Sequence, residues 1–260
     1  MTRFLAAILF VPSMAWATTF STDVSDLWWN PSESGWGLNA SQQSDIIFFT
    51  AFVYDANGQP TWFVGPSTQY SGTSGTTLTY SGPWYRTTGP YYGAGSFDPN
   101  AVGVTQVGTI TFALLDVNTA AITYTVNGVT VNKVLTRETW RTNDLVGDYM
   151  GGAVGTYSSG CAAPGYLEQP GTMNITQTAS GISMDVTSSA GTCTYSGDYT
   201  QYGRLGTSNG TFSCTNGGGS GTYSAFEIEG TFSAVTFRAA ETFSGSCTWN
   251  GRIGGLRRGS

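Results

Sequence analysis

Residues 46–65 read IIFFTAFVYDANGQPTWFVG. The first ten are nearly continuous in apolar, β-branched and aromatic side chains, which reads as a central strand. Asp55 to Pro60 then carries Asn57-Gly58, a strong hairpin signal, because tight hairpin turns need residues that accept positive φ. PTWFVG returns as the partner strand. An antiparallel hairpin is thus the unit from which the chain is built.

The same unit recurs on both sides. Gly35 to Gln43 reads as a strand before the hairpin. Residues 76–82, 107–116, 120–126 and 129–140 follow it, with a second Asn-Gly turn at Asn127-Gly128. Residues 85–104 carry Gly-Pro and Asp-Pro signals and read as a loop. In the second half, 145–154, 171–178, 181–188, 193–203, 210–215, 221–230, 231–239 and 243–253 read as about eight strands. No segment has a helical period. Regular strands joined by short turns predict an all-β chain of two tandem antiparallel up-and-down β-barrels, calycin-like, or barrel-like sandwiches.

The halves differ in composition. All four cysteines, Cys161, Cys193, Cys214 and Cys247, lie in the second, and Trp249 is its one tryptophan. The expected division is a tryptophan-rich domain at 18–143 and a disulfide-pinned domain at 144–260, with the seam in RTNDLVGDY, 141–149. Residues 1–17 read as a signal peptide, with Arg3, an apolar run from Phe4 to Val11, and Ala15-Trp16-Ala17 before cleavage. No later stretch approaches the roughly 20 apolar residues of a membrane helix.

An even cysteine count in an exported chain reads as two disulfides, for which three connectivities exist. Cys193 with Cys214 across one hairpin, and Cys161 with Cys247 joining the ends of the half, is the favoured arrangement. The expected location is secreted or periplasmic. Only 10% of residues are charged and the net charge is −6, which argues against nucleic acid or an anionic membrane as partner.

The string WWNPSESGWGLN (28–39), followed by YDANGQPTWF (54–63), resembles an opening motif of uncharacterised exported proteobacterial proteins. That resemblance implies export and no particular activity. A looser, architectural resemblance is to lipocalin- and avidin-like barrels, which open with Gly-x-Trp near the first strand, packed under the barrel by a late arginine. It implies that Gly147-Asp148-Tyr149 and Arg252 take those parts in the second half, with Tyr in place of Trp. Asp26-Leu27-Trp28 lacks the glycine.

The chain has no histidine, which removes His-based triads, dyads and metal sites. Bridged cysteines leave no thiol nucleophile, and Lys133 sits in ordinary edge or surface sequence. Carboxylates remain. Glu227 and Glu229 are two apart in a strand, so both face one way, with Phe226 and Ile228 opposite; a close pair of acids would suit glycoside hydrolysis. Glu33, between Trp29 and Trp36, would be a proton donor if the indoles raised its pKa. DANGQ (55–59) starts like a calcium loop and lacks its later ligands, so a hairpin turn is the better reading.

The candidate ligand-binding residues are Trp29, Glu33, Trp36, Trp62, Trp84, Tyr91 and Tyr92. Trp28 and Trp36 read better as plugs of a barrel end, while Trp84, Tyr91 and Tyr92 read as loop rings. The leading expectation is a non-catalytic exported protein that binds a small uncharged or apolar ligand. The alternatives are a carboxylate-dependent glycan-acting enzyme or carbohydrate-binding module, and a protein-interaction module of the envelope. No cofactor or metal is expected.

Overall fold

The computed structural model describes residues 22–259. The expected signal peptide lies outside them. The described chain is all-β and forms two closed eight-stranded antiparallel barrels in tandem. The first consists of β1 (Asp26–Trp29), β2 (Gly37–Gln43), β3 (Ile46–Tyr54), β4 (Pro60–Ser74), β5 (Thr77–Thr88), β6 (Gly103–Leu114), β7 (Thr119–Val126) and β8 (Val129–Arg137). Each pairs with the next, and β8 pairs with β1 to close the ring.

The second consists of β9 (Gly147–Tyr157), β10 (Gly165–Gln177), β11 (Gly181–Ser188), β12 (Gly191–Asp198), β14 (Leu205–Cys214), β15 (Ser220–Gly230), β16 (Ala234–Phe243) and β17 (Thr248–Arg257). The β12–β14 pairing closes this ring. The short β13 (Thr200–Tyr202) folds back on β14.

Alternation explains both cores. In β3, Ile47, Phe49 and Ala51 face inward and are buried, while Ile46, Phe48 and Phe52 face out. The apolar run thus covers both faces of one wall. Trp28, Leu38, Tyr80, Trp84, Ile110 and Phe112 fill the same interior. The turn at 55–59 is held by the Asp55 carboxylate, which accepts the backbone N–H of Asn57 and Gln59.

One end of each barrel is closed by the same device. In the first, the Arg137 guanidinium lies 4.6 Å from the Trp28 ring, and Trp28 Nε1 donates to the Val24 carbonyl four residues back. In the second, Arg257 lies 5.4 Å from the Tyr149 ring, and Tyr149 Oη donates to the Leu145 carbonyl, also four back. The register matches as well, Trp28 with Arg137 and Tyr149 with Arg257. The amide following each arginine donates to the carbonyl preceding each ring. The late arginine of the second barrel is therefore Arg257. Arg252, the residue expected there, lies five residues before it on β17 and so faces out, beside Glu227.

The closed ends adjoin. Arg204, in the turn between β13 and β14, pairs with Asp23 and Glu229 and donates from its backbone to Asp26. Asp26 also pairs with the buried Arg137. Residues 138–146 connect the barrels, and Thr139 and Asn143 hydrogen-bond to the 201–204 turn. The other end of the second barrel is tied by both disulfides, Cys161–Cys247 and Cys193–Cys214. These bridges fit an oxidising compartment. No helix among the described residues is long and apolar enough to cross a membrane.

Candidate functional site

Val235, Phe237, Ala239 and Glu241 occupy alternate positions along β16, and all four are buried. Period two therefore carries a carboxyl to the inner face of the second barrel. The ladder register places Tyr223 opposite Glu241 on one side and Trp249 on the other, and Tyr157 opposite Trp249. Glu241 is thus one member of a row of rings that runs around the wall. Tyr195 and Phe212, paired across β12 and β14, extend the aromatic lining.

A cavity of about 150 Å³ opens inside this lining. Its walls include Leu167, Met173, Val186, Phe243, Trp249 and Ile253, and its polar edge is formed by Gln169, Ser188, Tyr195 and Glu241. Cys193, Cys214 and the adjoining turns border it, so it lies toward the disulfide end. Two glycines help shape the wall. Gly155 and Gly251 are cross-strand partners, and a Cβ on either would stand 2.6 or 2.3 Å from the Trp249 ring. The indole can pack this close to both because neither has a side chain.

Glu241 is 5% exposed. Tyr195 Oη donates to its Oε1 at 2.6 Å, and no ion pair reaches it among the described residues. Burial pushes its pKa up from 4.5 to about 7, only partly opposed by the Tyr195 hydrogen bond. Burial and the neighbouring carboxyl together push the Tyr195 hydroxyl well up, so it is a fixed donor. Trp249 Nε1 is buried without a hydrogen-bond partner. Unpaired polar groups of this kind cost stability inside a protein.

The residues singled out from sequence lie elsewhere. Glu33 sits in the β1–β2 loop, accepts from Lys133 Nζ at 2.7 Å and from Trp36 Nε1 at 3.1 Å. The hydrogen bond from Lys133 holds its pKa below the ordinary value, not above it as a proton-donor role would need. It is a carboxylate paired with an ammonium and hydrogen-bonded by an indole, and Lys133 is its partner rather than plain surface. Trp84 is not a loop residue: it lies in β5, fully buried, between Phe63 and Tyr124. Trp29 lies on β1, half-buried. Trp62 is half-exposed on β4, opposite Phe52. Tyr91 and Tyr92 are exposed in the loop 89–102, and their rings touch each other at 4.7 Å. No described hydrogen bond or ring contact joins them to Glu33.

Glu227 and Glu229 do not form an open pair on one face. A bulge between Phe226 and Glu229, with Glu227 at φ 54°, resets the alternation. Ala225 and Ile228 are the buried residues as a result, and Phe226 lies under Arg238 on the outside. Glu227 takes Arg238, Arg252 and the Thr22 hydroxyl, while Glu229 takes Arg204. Each is held by at least one arginine, which is a structural role.

Sequence reasoning missed Glu241, Tyr195 and Trp249 as a group. A signal for the first existed, since VTFRAAE sets Glu241 on the apolar phase of the strand. Comparison with known proteins found no matching family model, no matching curated protein and no matching solved structure.

Proposed function

We propose that this is a non-catalytic exported protein, periplasmic or secreted, that holds a small, largely apolar ligand inside the second barrel. The observation that carries this reading is the cavity bordered by Glu241, Tyr195 and Trp249. Its size suits one ring or a short branched chain, since cavities of about this volume accept benzene-sized molecules. Interior side chains of the first barrel, Trp28 and Trp84 among them, are fully buried, which suits a scaffold role. Titration of the protein with phenol, indole and toluene, followed by tryptophan emission, tests the reading. Saturable quenching that is lost in Trp249→Phe supports it. No saturable change with any of the three counts against it.

A second reading, contact with another envelope protein, draws on one feature of the first barrel. Phe48, Phe52, Tyr54 and Trp62 stand half-exposed on the outer face of β3 and β4. Exposed apolar patches of this kind mark interaction surfaces. Replacing Phe52 and Trp62 by serine is expected to abolish capture of such a partner and leave ligand binding in the second barrel unchanged.

A further inference from the structure

Among the described residues, Glu241 is the one acidic or basic side chain lining the cavity. The groups that face it are phenols and neutral side chains: Tyr195 from β12, Tyr157 from β9, Tyr223 from β15, and Trp249 beside it on β17. Arg238, on β16 itself, and Arg252, on the neighbouring β17, lie on the outer face with Glu227. The barrel therefore buries a carboxyl and supplies no cation for it. A buried carboxylate is stable only when paired or hydrogen-bonded several times. Here it has one hydrogen bond.

Two further observations define the missing partner. Tyr195 Oη points its proton at Oε1 of the carboxyl, which leaves Oε2 to take a second donor once Glu241 is ionised. The surrounding surface is aromatic: Phe243 lies 6.0 Å from Tyr157 and 4.9 Å from Phe212, ring centre to ring centre. Ring faces attract cations and tolerate them better than aliphatic walls do. Leu167, Met173, Val186 and Ile253 leave an apolar space for the rest of the molecule.

Building on the proposed ligand-binding role, we propose that the second barrel binds a small organic amine. Its ammonium would donate to Glu241 among the rings, and a single ring or short alkyl body would fill the cavity. A free carboxylate on the ligand would meet Glu241 as a like charge, so amino acids are poor candidates. This keeps the small, largely apolar body of the proposed ligand and replaces an uncharged head with a cationic one.

The test is calorimetric titration of the mature protein with benzylamine, benzyl alcohol and toluene, which match in size and differ in donor and charge. Benzylamine is expected to bind at least about ten-fold more tightly than benzyl alcohol, about 1.4 kcal/mol. Below about pH 7, its binding is expected to release close to one proton, read from buffers of different ionisation heat, and almost none above about pH 8. Glu241→Gln is expected to bring benzylamine down to the level of benzyl alcohol while toluene still binds. Glu241→Met serves as a second variant and should show the same loss of preference.

If toluene or benzyl alcohol binds as well as benzylamine, or if Glu241→Gln leaves the amine preference intact, the amine assignment is overturned and the hollow barrel stands. If none of the three probes binds the native protein, both the assignment and the ligand-binding role are overturned.

Discussion

Arg137 shows how much one side chain holds at the closed end of the first barrel. It is 2% exposed, donates to the carbonyls of Val117 and Asp23, pairs with Asp26 at 3.2 Å and covers Trp28. Truncation would leave Asp26 without its buried partner and uncover the indole. Arg137→Ala is expected to cost about 3–5 kcal/mol, seen as a lower denaturant midpoint. Glu241 works in the opposite sense. Its folded pKa, about 7, lies above its ordinary 4.5. Between those values the unfolded chain has lost a proton that the folded chain keeps. Stability is therefore greatest below about pH 4.5, falls as pH rises through about 7, and stays low above it, by at most about 3 kcal/mol. Melting curves at about pH 5 and pH 8 are expected to show this drop, and Glu241→Gln to remove most of it. Equal drops in both proteins would rule out Glu241 as the source.

At the scale of strands, Gly251 and Gly155 matter for what they lack. Gly251→Ala places a Cβ 2.3 Å from both the Trp249 ring and the Val154 carbonyl, so the indole and the β9–β17 pairing must shift. A loss of about 1–3 kcal/mol is expected, with a changed near-ultraviolet dichroism of Trp249. The strands and the two disulfides were legible because alternation and Asn-Gly turns are local signals. The bulge at Glu227 was not, because a register shift is visible only against the facing strand. Trp84 was misread for a related reason. Gly82-Pro83 looks like a turn, yet Pro83 falls where the β4 ladder is interrupted between Val64 and Gln69, and a proline is tolerated there. Glu241 had a local signal but no local meaning. Its setting is made by Tyr223, Trp249 and Tyr195, which come from three other strands.

Across the whole molecule, the two barrels repeat one plan and differ in what they enclose. Aromatic ring, late arginine and the carbonyl four residues back recur at both closed ends, and those ends meet at Arg204. The disulfides sit at the far end of the second barrel alone. The Cys193–Cys214 bridge spans β12 and β14, the pairing that turns an open sheet into a ring. With that seam locked, an occupant cannot leave sideways through a parted wall. It must pass the loops 158–164, 189–190, 215–219 and 244–247. On the proposed ligand-binding role, residence time would be set by loop motion, separately from affinity. Reduction of the bridges is expected to speed the escape of a bound probe more than it weakens equilibrium binding, as stopped-flow displacement would register. Identical escape rates before and after reduction would mean that the wall never was the barrier.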